Sequence, residues 1–361
     1  LGDIIPAVLP RGWFPMVTPG TKFVTLGGMI AADVHGKNHH GQGSFRACVD
    51  WIDILGADGE LRRASAGDNA ELFDLTLGGM GLTGVILRAA IRLRPVDSGW
   101  IAQTTIPASN LKQAIDVFET TLEATYSVAW IDCLGQGDAL GRSLVMTGEH
   151  APRSELAGRS ATNRWAVGLK RGKSVPFDFP GWALNRYSVR AFNRMYYWAG
   201  SREPLARVVD WDSYFYPLDA ILGWNRIYGR RGFMQFQCVL PLANAMPGLT
   251  ALLTAISDSG SGSFLAVLKR MGAQGGGLSF PMEGYTLALD FPVSRGTLEL
   301  MERLDQLTID HGGRFYLAKD SRMSAQTLQQ ADPRVAEFIT KRHAAGWDTA
   351  FRSAQSERLK L

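Results

Sequence analysis

Hydrophobic positions along this chain recur at two spacings, and the change falls near residue 95. Before it the apolar runs are short, alternate with period two and are separated by glycine turns, as in half-buried strands. Residues 49–55 and 60–64 flank Asp58-Gly59 as a hairpin, and Val85, Leu87, Ala89, Ile91 and Leu93 alternate along a further strand. One short helix is expected over 69–77, with Asp68 as its N-cap. Pro95-Val96-Asp97-Ser98-Gly99 reads as a boundary.

Beyond the boundary, longer helices alternate with strands. Leu111, Ala114, Ile115, Phe118 and Leu122 share one helical face, and 126–132 follows as a strand. Residues 151–203 mix basic, aromatic and proline residues without clear periodicity, which predicts long loops or a mobile lid. At 232–240, Phe233, Gln235 and Gln237 alternate with Met234, Phe236 and Cys238, a central strand whose glutamine face meets something polar. Strands at 264–268 and 286–291 alternate with helices at 248–257 and 297–310, the last stopped by Gly312-Gly313. The class is α+β, with an antiparallel sheet covered on one side by helices. A final short strand within 314–322 ends in charge and puts Tyr316 and Lys319 near a strand end, a common position for functional groups.

Composition narrows the function classes. With 46% hydrophobic and 20% charged residues over 361 positions, the chain is globular and long enough for two domains. Its net charge of +4 is spread instead of striped, which disfavours nucleic acid and leaves a mild bias toward anionic substrates or membrane surfaces. Cys48, Cys133 and Cys238 are far apart and lack CxxC spacing, so buried free thiols are expected. No run reaches the roughly 18 apolar residues of a spanning helix. The chain opens Leu-Gly-Asp without a signal-peptide pattern, and further sequence is expected upstream.

The densest chemistry lies at 19–45, PGTKFVTLGGMIAADVHGKNHHGQGSF, where glycines and three histidines surround a short apolar segment. Glycine allows close backbone approach, and exposed amides in such turns bind anions, so the segment suits a flat, phosphate-bearing ligand; an ordinary glycine-rich hairpin is the alternative. It is not GxGxxG, because no helical pattern opens after it. A second turn, Gly78-Gly79-Met80-Gly81-Leu82-Thr83-Gly84, could clamp the opposite side of the same cofactor. His35, His39 and His40 lack the i, i+4 helical spacing and glutamate of a zinc site, so no metal is assigned, and His39 and His40 are read as structural.

PGTxxVTxGGxIAxDxHGKNHH, GGxGLTG, FxYPLDxxxxWNRxYG, QxQ, LSFP and YxAKDSR together resemble the flavin-dependent decaprenylphosphoryl-β-D-ribose 2-oxidase family of the vanillyl-alcohol oxidase superfamily, over essentially the whole chain. The resemblance implies a split FAD-binding domain, 1–97 and 314–361, around a substrate domain, 98–313. The family's first flavin segment, which holds the pyrophosphate, is expected before Leu1. Carried over by position, Gly20, Thr21, Gly27, Gly28, Ala32, Val34, Met80, Gly81 and Val85 line FAD, with Tyr316 beside the ring. His35, Tyr316 and Lys319 are the implied catalytic residues. Gln235, Gln237, Lys269 and Lys319 belong to the substrate face, and Trp130, Tyr216 and Arg226 to the pocket mouth.

Oxidising a secondary alcohol needs a hydride acceptor, which no side chain provides, and a base or cation at the oxygen. Lys319 can fill the second role; otherwise it is a surface lysine beside Asp320. By the same resemblance the substrate is a polyprenyl-phosphate-linked pentose, oxidised at C2 to a keto sugar that a partner NAD-dependent keto-reductase completes, with a quinone or other electron acceptor. The aromatic and basic stretch 182–197 is a candidate for membrane contact, which implies a cytoplasmic protein or one held peripherally at the inner membrane. Two alternatives stand beside this reading: a soluble FAD-dependent sugar-alcohol or aldonolactone oxidase using oxygen, and a non-catalytic binding protein on a degenerate flavin fold.

Overall fold

The computed structural model describes residues 1–168, 172–181, 183–202, 206–263 and 265–361. The first hundred residues build a three-stranded antiparallel sheet from β1 (Val49–Leu55), β2 (Leu61–Ser65) and β3 (Val85–Ile91), in the order β2-β1-β3. The β1–β2 hairpin turns where expected, with Gly59 at φ +80° and the Asp58 carboxylate accepting from the Glu60 N–H.

Four short helices accompany this sheet among the described residues, Ile4–Val8, His39–Gln42 and the two that bear on the site, α1 (Leu26–Ala31) and α2 (Ala70–Thr76). The glycine pattern predicts no helix at α1, yet the Thr25 hydroxyl accepts the Gly28 N–H and caps six helical residues that include two glycines. Nor is Asp68 the cap of α2: Asn69 holds that position in the left-handed region, and Asp68 gives its carbonyl to the Ser65 N–H.

The larger sheet has eight strands: β4 (Trp100–Ala108), β5 (Tyr126–Ile131), β6 (Ser143–His150), β7 (Ala206–Asp210), β8 (Phe233–Pro241), β9 (Val267–Met271), β10 (Gly284–Pro292) and β11 (Arg314–Phe315). They lie in the order β7-β4-β6-β5-β9-β10-β8-β11, every neighbouring pair antiparallel. Around it run α3 (Leu111–Thr120), α4 (Arg186–Gly200), α5 (Ala245–Ser259), α6 (Arg295–Asp310), α7 (Ala325–Ala331) and α8 (Arg334–Ala344).

Strand alternation divides the residues of this sheet between two environments. Phe236, Cys238 and Leu240 of β8 and Leu287, Leu289 and Phe291 of β10 join Leu249, Leu252 and Ile256 of α5 and Leu300 and Leu304 of α6 in the main core. Their neighbours along the strands, Gln235, Gln237, Thr286 and Asp290, therefore belong to the other face, as does Lys269, which pairs with Thr286. Leu328, Val335 and Phe338 of α7 and α8 pack into the same main core. A second core gathers Phe14, Ile30, Phe45, Ile52 and Leu77 and takes Tyr126, Trp211, Tyr214, Phe215 and Tyr216 from beyond residue 97.

Two expected elements are displaced. The stretch read as long loops, 151–203, contains the fifteen-residue helix α4. Only Val189 and Asn193 of that helix are buried; Tyr187 and Trp198 face outward, while Tyr196 packs against Trp130. The strand read at 264–268 is Val267–Met271; residue 264 lies outside the described residues.

Candidate active site

The loop after α1 is locked by one carboxylate. Asp33 is fully buried with φ +40°, and it accepts from the Ser44 hydroxyl, the Arg46 N–H, the Gln274 amide and the Ser279 hydroxyl. Four donors satisfy the charge. They also tie the loop to residues 272–280, between β9 and β10. The Asn38 amide donates to the Met16 carbonyl and to Gln42. His39 accepts the Gly272 N–H on Nδ1, so its Nε2 proton goes to Gln274 Oε1, 2.9 Å away. His40 Nε2 donates to the Ala124 carbonyl at 2.7 Å.

That frame carries His35 onto the polar face of the large sheet. Gln237 Nε2 lies 3.0 Å from His35 Nε2 and 3.1 Å from Thr286 Oγ1, and the Thr286 hydroxyl proton is already given to the Cys238 carbonyl. Thr286 can only accept from Gln237, which fixes the amide, and an amide nitrogen can only donate. His35 therefore accepts on Nε2 and carries its proton on Nδ1, a buried atom without a partner among the described residues. Burial first, then Lys269, His39 and Lys319, hold its pKa well below the ordinary histidine value, so the ring stays neutral. Tyr316 stands edge-on to it at 5.0 Å between centroids and tilted against Phe280 at 4.8 Å. Burial raises the Tyr316 phenol far above its usual range.

Lys319 reaches the same face from the turn after β11, and its Nζ donates to Gln235 Oε1 at 2.9 Å. Burial lowers its pKa, and the Asp290 carboxylate opposes that shift. Lys269 is lowered to about 8 by burial and then by Lys319. It has no salt bridge or hydrogen bond among the described residues. Lys37, which the sequence reading did not single out, is lowered to about 7 by burial and then by Lys269. Its ammonium donates to the Tyr214 carbonyl and sits 4.1 Å over the Tyr214 ring. Three half-buried lysines thus share one region, none in a salt bridge among the described residues, and that arrangement fits a ligand that brings negative charge.

The glycine turns meet instead of facing one another across a gap. Gly78 donates its N–H to the Ile30 carbonyl and Met80 to the Ala31 carbonyl, so the second turn docks on the C-terminal end of α1. Met80 and Gly81 are both left-handed, at φ +54° and +75°. A Cβ on Gly20 or Gly81 would meet nothing within 4 Å, which leaves open space over both backbones. Gly27 and Gly28 lie inside α1, Ala32 and Val34 follow it, Thr21 accepts the Phe23 N–H, and Val85 stands exposed at the start of β3. The open glycine backbone, the His35 Nδ1 without a partner among the described residues and the lysines outside any salt bridge there fit a flat, phosphate-bearing cofactor such as FAD.

The other expected residues lie further out. Trp130 of β5 pairs with Val267, two positions from Lys269, and its ring contacts Tyr196 of α4 at 4.8 Å. Tyr216, expected at the pocket mouth, is only 1% exposed and packs with Trp211 and Phe215 in the second core. Its apolar neighbours in the run Trp211 to Tyr216 draw it inward. Arg226, also expected at the mouth, donates to the Val175 and Pro176 carbonyls and ties down its own loop.

A sheet face of this chemistry, in a chain related to oxidases and dehydrogenases, defines an FAD-dependent oxidoreductase. No family model matches the chain. It is 35% identical over 365 residues to the decaprenylphosphoryl-β-D-ribose oxidase of Mycolicibacterium smegmatis, covering 100% of this chain and 79% of that protein. An uncharacterized protein of the mprA 5′ region of Streptomyces coelicolor is 32% identical over 98% of both chains. Cytokinin dehydrogenase 1 of Oryza sativa subsp. japonica is 34% identical over 94 residues, 26% of this chain and 18% of that one. The chain belongs to the decaprenylphosphoryl-β-D-ribose oxidase family.

Proposed function

We propose that this site oxidises the C2 hydroxyl of a polyprenylphosphoryl-β-D-ribofuranose to the 2-keto sugar, the first half of an epimerisation toward arabinofuranose donors for cell-envelope glycans. Residues 1–97 and 314–361 hold the flavin, with Gly20, Thr21, Gly27, Gly28, Ala32, Val34, Met80, Gly81, Val85 and Tyr316 against it, and 98–313 hold the substrate. When bound, FAD supplies the hydride acceptor that no side chain offers. Lys319, whose ammonium is disfavoured by burial, takes the hydroxyl proton or holds the developing alkoxide charge. His35 donates from Nδ1, since its Nε2 is engaged by Gln237. Lys269 and Lys37 present positive charge to the substrate phosphate.

The observation that carries this reading is the group of half-buried lysines, none in a salt bridge among the described residues, beside a neutral histidine whose Nδ1 has no partner among them. A partner NAD-dependent keto-reductase completes the epimerisation, and a quinone or similar carrier reoxidises the protein. No helix among the described residues is long and apolar enough to cross a membrane. The outward aromatic and basic residues of α4 support peripheral contact with the membrane that holds the lipid; Trp182, in the same stretch, lies outside the described residues. Anaerobic mixing of flavin-loaded protein with a short-chain polyprenylphosphoryl-β-D-ribose should bleach the flavin absorbance and yield the keto sugar. Bleaching by a free sugar or aldonolactone with stoichiometric peroxide in air, and none by the lipid-linked pentose, would overturn it.

A further inference from the structure

Gln235 and Asp290 occupy directly paired positions on β8 and β10, so their side chains stand beside each other on one face. Gln235 Nε2 donates to Asp290 Oδ1 at 2.8 Å, while Gln235 Oε1 accepts from Lys319 Nζ at 2.9 Å. An ammonium can only donate and a carboxylate can only accept, so both bonds exist for one orientation of the amide and neither for its flip. We propose that Asp290 is a positioning residue for Lys319, acting through Gln235: it fixes the amide, the amide fixes the ammonium, and its charge compensates the lysine without touching it. The proposal rests on the reading of Lys319 as the group at the substrate oxygen.

The surroundings leave Asp290 as the carboxylate available for this role. Asp290 is 7% exposed, its own N–H goes to the Ser263 hydroxyl, and it has no salt bridge among the described residues. Among the described residues the other charged or titratable groups around Lys319 are Lys269 from β9, His35 from the loop after α1 and the Tyr316 phenol, none of them an anion, together with Asp305, Asp320 and Arg322. Asp320, next in sequence, is spent on Arg358, and Arg322 on Asp305. Burial raises the Asp290 pKa, while the Gln235 hydrogen bond and then Lys319 lower it, so each end of the chain favours the charged form of the other. Without the carboxylate, Lys319 would face Lys269 with nothing opposite in sign, and the Gln235 amide could turn over.

The test is competitive acetylation of the folded, flavin-loaded full chain with trace acetic anhydride from pH 6 to 11, reading Lys319 by mass spectrometry. Asp290→Asn keeps an oxygen for Gln235 and removes only the charge, so the Lys319 midpoint should fall by about one pH unit, a tenfold change in its proton equilibrium. Gln235→Glu, which puts a carboxylate directly on the ammonium, should raise it. With a short-chain polyprenylphosphoryl-β-D-ribose, Asp290→Asn should lower kcat about tenfold with KM little changed. An unmoved Lys319 midpoint in Asp290→Asn overturns the proposal, and if Asp290→Asn does not fold, an unmoved midpoint in Asp290→Ser overturns it. A shifted midpoint with unaltered turnover upholds the Asp290–Lys319 linkage and removes Lys319 from the chemistry.

Discussion

His35 and His39 are buried and His150 half-buried, all in the neutral form, and each makes the fold sensitive to acid. Burial dominates the lowering in His39 and His150, both to about 4, and in His35, which lies well below its ordinary value. The unfolded chain binds protons at these rings near pH 6.5 while the folded one does not, so unfolding takes up protons and stability falls as pH drops from about 6.5 toward 4. Each ring contributes about 1.4 kcal/mol per pH unit in that window. His150→Gln should remove one share of that slope in urea unfolding at pH 6.5, 5.5 and 4.5; an unchanged slope would place the His150 ring in the charged form. The lysines act in the opposite direction on ligand binding. Lys269 and Lys37, lowered to about 8 and about 7, lose charge as pH rises through those values, whereas a bound phosphate favours the protonated forms. Binding of a short-chain polyprenylphosphoryl-β-D-ribose should therefore weaken, by up to about tenfold per pH unit for each proton taken up, as pH rises from about 6.5 to 9. Lys269→Met should bind weakly at both ends of that range, with a flatter pH profile by calorimetry.

Where elements meet, glycine decides what fits. A Cβ on Gly79 would lie 2.0 Å from the Leu75 carbonyl oxygen, inside the turn that docks on α1. Gly79→Ala must open that turn, so it should cost about 3 kcal/mol or more in denaturant unfolding and reduce retained flavin. Gly81→Ala meets no protein atom and pays only for its φ of +75°, about 1–2 kcal/mol, and serves as the control for stability alone, since its Cβ would enter the space proposed for the flavin. Strand alternation explains why much of the large sheet was legible in sequence: Gln235 and Gln237 against Phe236 and Cys238 announce one polar and one apolar face. Helix α4 was not legible, because its arginines and exposed aromatic residues, following a proline-bearing stretch, resemble a surface loop more than a core-facing helix. Nor was the role of Asp33, whose partners Gln274 and Ser279 lie 241 and 246 residues away. The motifs flagged His35, Gln235, Gln237, Lys269, Tyr316 and Lys319, but Lys37 and Asp290 gain meaning only from register and burial. Tyr216 and Arg226 show the opposite limit, since motif membership did not put them on the polar face.

At the scale of the whole molecule, the large sheet is lined on one side by its helical core and on the other by the site, while α4 packs on the sheet through Val189, Asn193 and Tyr196 and leaves other apolar side chains outward. Tyr187, Met195 and Trp198 are 73%, 60% and 54% exposed, and Arg186 and Arg194 lie on the same helix. Exposed aromatic and basic residues on one helix suit the interface of an anionic bilayer: the rings enter the headgroup region, and each cation adds about 1 kcal/mol of attraction near the surface. A substrate with a long polyprenyl tail would then be met at the membrane without being fully extracted. Co-sedimentation should accordingly be stronger with phosphatidylglycerol vesicles than with phosphatidylcholine vesicles, and should fall with added salt. Arg186→Glu combined with Arg194→Glu should reduce the partition constant roughly 30-fold or more, since about 2 kcal/mol of attraction is lost before repulsion is counted. Turnover of a short-chain, water-soluble substrate should be unaffected, because neither arginine belongs to the polar face of the sheet. Equal sedimentation of the reversed and native proteins would free α4 of this role and leave its outward rings to another partner.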